Sequence, residues 1–311
     1  MSAFTYSPSR HVPFRDVKVL NRVRAIRRSD ITRHPNPDFR ISIVPDADFE
    51  TRWTQDIFAR IKRSAEEGRR LVLILPNPYP GYRVVSWLIN ICRVDCSRLH
   101  IFIMDEYADE NGNVAPETWP QGFMHSFKKN FYGEIDPALR PGEKQIHGPT
   151  TKNIRDYSKM ISDLGGADVC YSGPGWTGHL AFVEPDAPEF AAGSLKEWTQ
   201  LGARIVTLSP FTLAQNSLHG SFGMSGDLAA VPPRAATIGP ADALGARFRI
   251  QAHALRIHGT ATSWQRLMTR LVIHGPVTPL IPESVCQLAR TDVWVSENNA
   301  RDIAPDWDKG Y

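Results

Sequence analysis

The stretch Ser172-Gly173-Pro174-Gly175-Trp176-Thr177-Gly178-His179-Leu180-Ala181-Phe182-Val183-Glu184-Pro185 follows an apolar run, Ala167-Asp168-Val169-Cys170-Tyr171, that reads as a short buried strand. Three glycines within residues 173–178 let the backbone turn sharply and come close to a ligand. His179 and Glu184 then flank a run of apolar residues. Imidazole beside carboxylate suits proton transfer near neutral pH, because the carboxylate fixes the ring tautomer and supports its cation. A strand ending in a glycine turn with acid–base residues is where open α/β sheets place their ligands. The same residues also fit a plain surface turn with a His–Glu pair, and the pattern alone leaves both readings open.

Working outward, the chain alternates strand and helix signals. Phe39–Val44 alternates like a strand, and Trp53, Ile57, Ile61 and Ala65 recur at helical spacing behind Asp46 and Asp48, with Gly68 as a stop. Leu71–Leu75 is continuously apolar, as expected of a buried parallel strand. Residues 84–94 read as a helix, 99–104 as a strand, and 153–164 as the helix before the 167–171 run. Downstream, residues 204–208, 255–259 and 292–295 read as strands, the last closing the sheet, with a helix over 263–271. This rhythm predicts an α/β fold, a doubly wound, mostly parallel sheet flanked by helices.

At 311 residues, 42% hydrophobic and 22% charged, the chain has the composition of a globular protein with a full core. A formal charge of +3 argues against a general nucleic-acid binder. Cys92, Cys96, Cys170 and Cys286 sit in apolar contexts without metal-ligand spacing, which predicts buried free thiols in a reducing compartment. No apolar run reaches the roughly 20 residues that span a bilayer, and no signal-peptide core opens the chain. The expectation is a cytoplasmic protein without membrane or nucleic-acid partners. Residues 1–39 form a basic extension, with eight basic residues against three acidic ones and Tyr6, Phe14, Val17, Leu20 and Val23 as apolar anchors. Residues 40–311 read as a single domain.

Gly173 to Pro185, together with Phe102-Ile103-Met104-Asp105-Glu106-Tyr107, resembles the deaminase branch of the glucosamine-6-phosphate deaminase and 6-phosphogluconolactonase superfamily. That branch carries Gly-x-Gly-x-Asp-Gly-His-(apolar)-Ala-Phe-Asn-Glu-Pro and a strand-end Met-Asp-Glu-Tyr. Weaker matches follow in order at residues 123–125, 204–217, 236–246 and 284–287, so the resemblance runs over residues 40–295. It implies a Rossmann-like fold and an enzyme that moves a proton between C1 and C2 of an open-chain amino sugar. Asp105 would be the base, His179 would assist ring opening and Glu184 would orient it. Neighbouring side chains in an extended segment point oppositely, so only one of Asp105 and Glu106 faces the pocket, and the resemblance selects Asp105 as the catalytic one. Substrate contacts are expected from Gly173, Gly175, Trp176 and Thr177, from Asn77 and Tyr79, and from Glu106. The segment 116–122 is expected over the site. A small sugar-like substrate, no metal or other cofactor, and self-association complete what the resemblance implies.

The departures from the family pattern carry equal weight. Thr177 replaces the aspartate of the family's carboxylate–histidine–carboxylate relay, and a hydroxyl cannot hold negative charge against the imidazole. The family's Thr-Gly-Gly-Thr-like phosphate loop is here Pro76-Asn77-Pro78-Tyr79-Pro80-Gly81, whose prolines lack N–H donors. Leu218 and Thr262 stand where an arginine and a lysine are expected. The pocket is therefore expected to take an unphosphorylated or otherwise modified amino sugar, stacked on Tyr79 and Trp176. Two other readings stay in view: a non-catalytic sensing or assembly protein, and a lactonase-like hydrolase using His179 to activate water.

Overall fold

The structure, a computed structural model, describes residues 4–254, 256–257, 260–261, 265–305 and 307–308. Helix α1 (Val17–Arg24) is capped by the Asp16 side chain, which accepts from the Val19 N–H at 3.1 Å. An alternating series follows: β1 (Phe39–Val44), α2 (Phe49–Glu66), β2 (Leu71–Leu75), α3 (Tyr82–Ile91) and β3 (Leu99–Ile103). The chain breaks at Met104 and turns into β4 (Asp105–Ala108), then α4 (Phe123–Asn130), β5 (Ile146–His147), α5 (Tyr157–Asp163) and β6 (Val169–Ser172). Next come α6 (Leu195–Trp198), β7 (Arg204–Thr207), α7 (Pro210–Asn216), β8 (Arg234–Thr237), α8 (Pro240–Gly245) and β9 (Phe248–His253). A short pair, β10 (Arg256–Ile257) and β11 (Thr260–Ala261), leads to α9 (Gln265–His274), a 3₁₀ turn over Pro282–Leu288, β12 (Thr291–Ser296) and α10 (Glu297–Ala300).

Seven strands form the main sheet in the order β1-β12-β9-β6-β2-β3-β5, and every pairing in it is parallel. This is the expected α/β architecture. The five residues of β2 are all buried, which explains why they lack polar alternation: helices cover both faces of a parallel sheet. On α2, Trp53, Ile57 and Ile61 are buried, and burying such a side chain fully contributes roughly 1.5–3 kcal/mol.

The topology departs from the sequence reading in three places. Residues 204–208 do not join the main sheet; β7 pairs antiparallel with β8, and β8 with β4, in a separate three-stranded sheet. The main-sheet strand before α9 is β9, upstream of the expected 255–259, of which 255, 258 and 259 lie outside the described residues. Its apolar Phe248, Ile250 and Ala252 alternate with Arg249, Gln251 and His253, a strand pattern upstream of the apolar run that the sequence reading selected. Finally, β12 does not close the sheet at an edge but lies between β1 and β9.

The N-terminal segment packs on the domain. Phe14, Val23 and Ile31 are buried and Leu20 is half-buried, whereas Tyr6 and Val17 stay exposed. Arg270 Nε donates to the Ile26 carbonyl at 2.9 Å, and Arg22 donates to the His274 carbonyl at 2.9 Å. Cys96, Cys170 and Cys286 are buried free thiols, but Cys92 is exposed because it follows the outward face of α3 that also carries Trp87 and Ile91. No helix among the described residues is long and apolar enough to cross a membrane.

Candidate active site

The parallel strands β2, β3, β6 and β9 point their carboxyl ends at one pocket of about 370 Å³, lined there by Pro76, Met104, Ser172 and Ala252. Ligands of open α/β sheets bind at this edge because the loops that leave the strands diverge there.

Asp105 enters the pocket through the break after β3. The Met104 N–H still donates to the Leu75 carbonyl at 3.1 Å, and the Met104 carbonyl accepts from Ile238 at 2.9 Å, so the chain passes from one sheet to the other within one residue. Strand alternation then separates the two carboxylates. Asp105 lines the pocket at 5% exposure, and its Oδ1 makes no hydrogen bond among the described residues. Glu106 points the other way and accepts from the Tyr107, Phe123 and Met124 N–H groups at 2.9, 2.9 and 2.8 Å. It caps α4 and does not join the pocket-lining residues, so the substrate contact expected of it is replaced by a structural one. Burial, and then the charge of Glu106, push the Asp105 carboxyl well above its ordinary range.

His179 lines the same pocket. Its Nε2 lies against Gly175, where a Cβ would overlap the ring, so glycine is required there by close approach. Its Nδ1 lies 3.2 Å from Thr177 Oγ1, 3.1 Å from Thr212 Oγ1 and 3.7 Å from Glu184 Oε2. A tight turn returns Glu184 to the ring: the Val183 N–H donates to Leu180 at 2.8 Å, and Ala181 adopts a left-handed φ of 51°. Burial pushes the Glu184 carboxyl up, but His179, the Ser209 N–H and Thr212 outweigh it and hold the group below its ordinary value. Thr177 thus sits behind the imidazole and is not among the pocket-lining residues.

Helix α7 supplies residues that the sequence reading did not single out. Ser209 caps it, accepting from the Thr212 N–H at 3.2 Å, with Pro210 as its first residue. That start, legible as Ser-Pro, aims Thr212 at His179 and sets Gln215 and Asn216 on the pocket wall. His219 follows on the same wall, its imidazole pushed down to about 4 by burial and then by His179, so it is neutral at pH 7. Leu218 is not on the wall.

The remaining wall is aromatic. Phe49 and Trp53 from α2 join Asn77 and Tyr79 from the loop after β2, with Trp53 and Tyr79 edge to face at 6.2 Å. Trp176, expected to stack with Tyr79, is not on the wall; its backbone N–H is held by Gln215 Oε1 at 2.7 Å, and Trp53 is the tryptophan beside Tyr79 there. The first N–H groups of α3 turn back on their own loop. Tyr82 donates to Tyr79 at 3.2 Å, Arg83 to Pro80 at 3.2 Å and Val84 to Gly81 at 3.0 Å. Among the described residues no lysine or arginine lines the pocket. Thr262 lies outside the described residues, as do the side chains of 255–264. Segment 116–122 does not line the pocket; Trp119 packs edge-on behind Tyr107 with ring centroids 5.8 Å apart. Among the described residues no cluster of three or more His, Cys, Asp or Glu is arranged to hold a metal.

The structure is thus an open α/β sheet with a carboxylate and a histidine meeting in a pocket at its carboxyl edge. The chain is 31% identical to the glucosamine-6-phosphate deaminase of Caenorhabditis elegans over 209 residues, 65% of this chain and 69% of that one. It is 31% identical to the glucosamine-6-phosphate deaminase of Mannheimia succiniciproducens over 260 residues, 80% of this chain and 86% of that one. Among solved structures, a monomeric glucosamine-6-phosphate deaminase superposes with a TM-score of 0.66 at 19% identity, covering 84% of this chain and 98% of that one. A 6-phosphogluconolactonase from Leishmania guyanensis gives 0.58 at 12% identity, covering 85% and 98%, and at that identity shares the fold. No family model matches the chain. The chain belongs to the glucosamine-6-phosphate deaminase family and shares its fold with 6-phosphogluconolactonases.

Proposed function

We propose that this chain is a deaminase–isomerase-type enzyme acting on an open-chain amino sugar that carries no 6-phosphate. The observation that carries the reading is the meeting of Asp105 and His179 on one pocket whose described lining has no lysine or arginine. Asp105 as carboxylate takes the C2 proton, water gives a proton to the C1 oxygen as the enolamine forms, and the Asp105 acid returns its proton to C1 while the hydroxide recovers one from the C2 nitrogen. The C2 amine becomes an imine, which water opens to a ketone and ammonia. A buried carboxyl with raised proton affinity suits removal of a carbon-bound proton. His179 delivers a proton to the ring oxygen on opening, and Glu184 stabilises the imidazolium on either side of that step.

Two further observations support an unphosphorylated substrate. The N–H groups at the start of α3 already bond to the loop before it, which leaves fewer donors for an anion. Trp53 and Tyr79 offer a stacking surface in that region. The test is proton NMR in heavy water with amino and plain sugars, each with and without a 6-phosphate. Loss of the C2 proton signal confined to the unphosphorylated amino sugar is the expected result. Exchange that requires the 6-phosphate overturns the substrate assignment. Silence across the panel overturns catalysis and favours a sensing protein.

A further inference from the structure

Behind the pocket lies a run of buried polar side chains that the chemistry above does not use. Glu283, in the 3₁₀ turn before β12, is fully buried. Its Oε1 accepts from the Ser172 hydroxyl at 2.5 Å and from Gln251 Nε2 at 3.0 Å, while its Oε2 has no hydrogen bond among the described residues. Gln251 Oε1 continues to His253 Nε2 at 3.1 Å, and His253 Nδ1 to Thr269 Oγ1 at 3.1 Å. Ser172 is itself a pocket-lining residue at the end of β6.

Glu283 grips the loop 172–179 at both ends. Its side chain holds Ser172, and its backbone N–H donates to the Gly178 carbonyl at 2.9 Å, directly before His179. Gly178 has a left-handed φ of +77°, and a Cβ there would press on Met268 and Ile281, so this end of the loop has little room to shift. Gln265 from α9 braces the middle of the loop through the Pro174 carbonyl.

We propose that Glu283 is a positioning residue: through Ser172 and Gly178 it sets the loop that carries His179 against the pocket. The side-chain anchor works as a neutral acid. Burial pushes the Glu283 carboxyl up to about 8, above the pull of Ser172 and Gln251. Among the described residues no cation pairs with Glu283. The thiols of Cys170 on β6 and Cys286 on the same turn are pushed up, and the His253 imidazole on β9 is pushed down to about 3, so all three stay neutral. Arg249 on β9 bonds to the carbonyls of Ala243, Leu244, Ala246 and Arg290. Ionisation would therefore leave a buried charge beside Ser172, and the loop would shift to relieve it.

The role of His179 belongs to the proposed function, so the test reads the imidazole itself and uses no substrate; an inactive protein leaves it standing. Histidine is labelled with nitrogen-15, and His179 is assigned by its loss in His179→Gln. In the wild-type protein the His179 ring signals are expected to shift as pH passes through about 8. Glu283→Gln keeps the hydrogen-bonding shape without the titration, so it should retain the low-pH signals and abolish that shift. Glu283→Ala should move the signals at every pH. A wild-type protein without the shift, or the same shift persisting in Glu283→Gln, overturns the proposal. So does a Glu283→Ala protein that is folded by circular dichroism and keeps wild-type His179 signals. If Glu283→Ala fails to fold, the Glu283→Gln comparison decides.

Discussion

The Thr212 hydroxyl lies 3.1 Å from Nδ1 of His179, and Thr177 and Glu184 complete a set of oxygen atoms around that nitrogen. A ring protonated at Nδ1 among these oxygens presents Nε2 as its acceptor, beside Gly175 on the pocket wall. Two hydroxyls and one carboxylate thus occupy the side of the ring where relatives are expected to place two carboxylates.

Thr212→Val removes one hydroxyl without changing volume, and turnover should fall about tenfold, the equivalent of one lost hydrogen bond. Steady-state kinetics check it: kcat should drop with KM little changed, and Thr212→Ser should recover most of the loss.

Asp105→Asn keeps the shape and hydrogen-bonding capacity of the side chain but removes the base. Exchange of the C2 proton should fall by at least about 10²-fold, while binding measured by calorimetry survives. Unchanged exchange would sink the assignment of Asp105 as the base.

The same substitution has a stability consequence of definite sign. The folded protein raises the Asp105 carboxyl above its ordinary 3.8, so between 3.8 and the folded value the folded state holds a proton that the unfolded chain has already released. Wild-type stability contributed by this group is fully present below 3.8 and is lost as pH rises toward the folded value. Asp105→Asn has no such loss. Its Tm should equal or trail the wild type in acid and gain on it as pH rises, which thermal unfolding across a pH series measures directly.

Gly175→Ala tests the close approach to His179. The added methyl would overlap the imidazole, which must then tilt away from the pocket. Overpacking of this kind costs roughly 1–3 kcal/mol, so a modest fall in Tm should accompany near-complete loss of turnover. A fully active Gly175→Ala protein would show that the ring sits elsewhere.

Much of the molecule was legible from local pattern. The apolar run of β2 and the helical spacing on α2 are one-dimensional signals, because burial on both faces or on one stripe dictates residue type along the chain. The glycines at 173, 175 and 178 likewise announced a tight turn before any contact was known. Strand alternation alone said that Asp105 and Glu106 diverge; which one faces the pocket came from the resemblance, and only the structure shows Glu106 capping α4.

Other features have no local signal. Trp53 reads as one residue of a buried helix stripe and Trp176 lies in a glycine-rich turn, yet the packing of α2 against the loop after β2 brings Trp53 to the pocket wall. Strand β9 alternates like a half-exposed strand, and only the partners of Arg249, Gln251 and His253 on other elements show that its polar face is buried. The sequence by itself determined the α/β class, the family and the stretch that holds His179 and Glu184. Only the tertiary structure decided that Thr212 joins Glu184 at one ring nitrogen, and that Glu283 braces the loop from behind. Those contacts join residues 33 and 111 positions apart, and hydrogen bonds at such separations depend on chain path, which residue type does not encode.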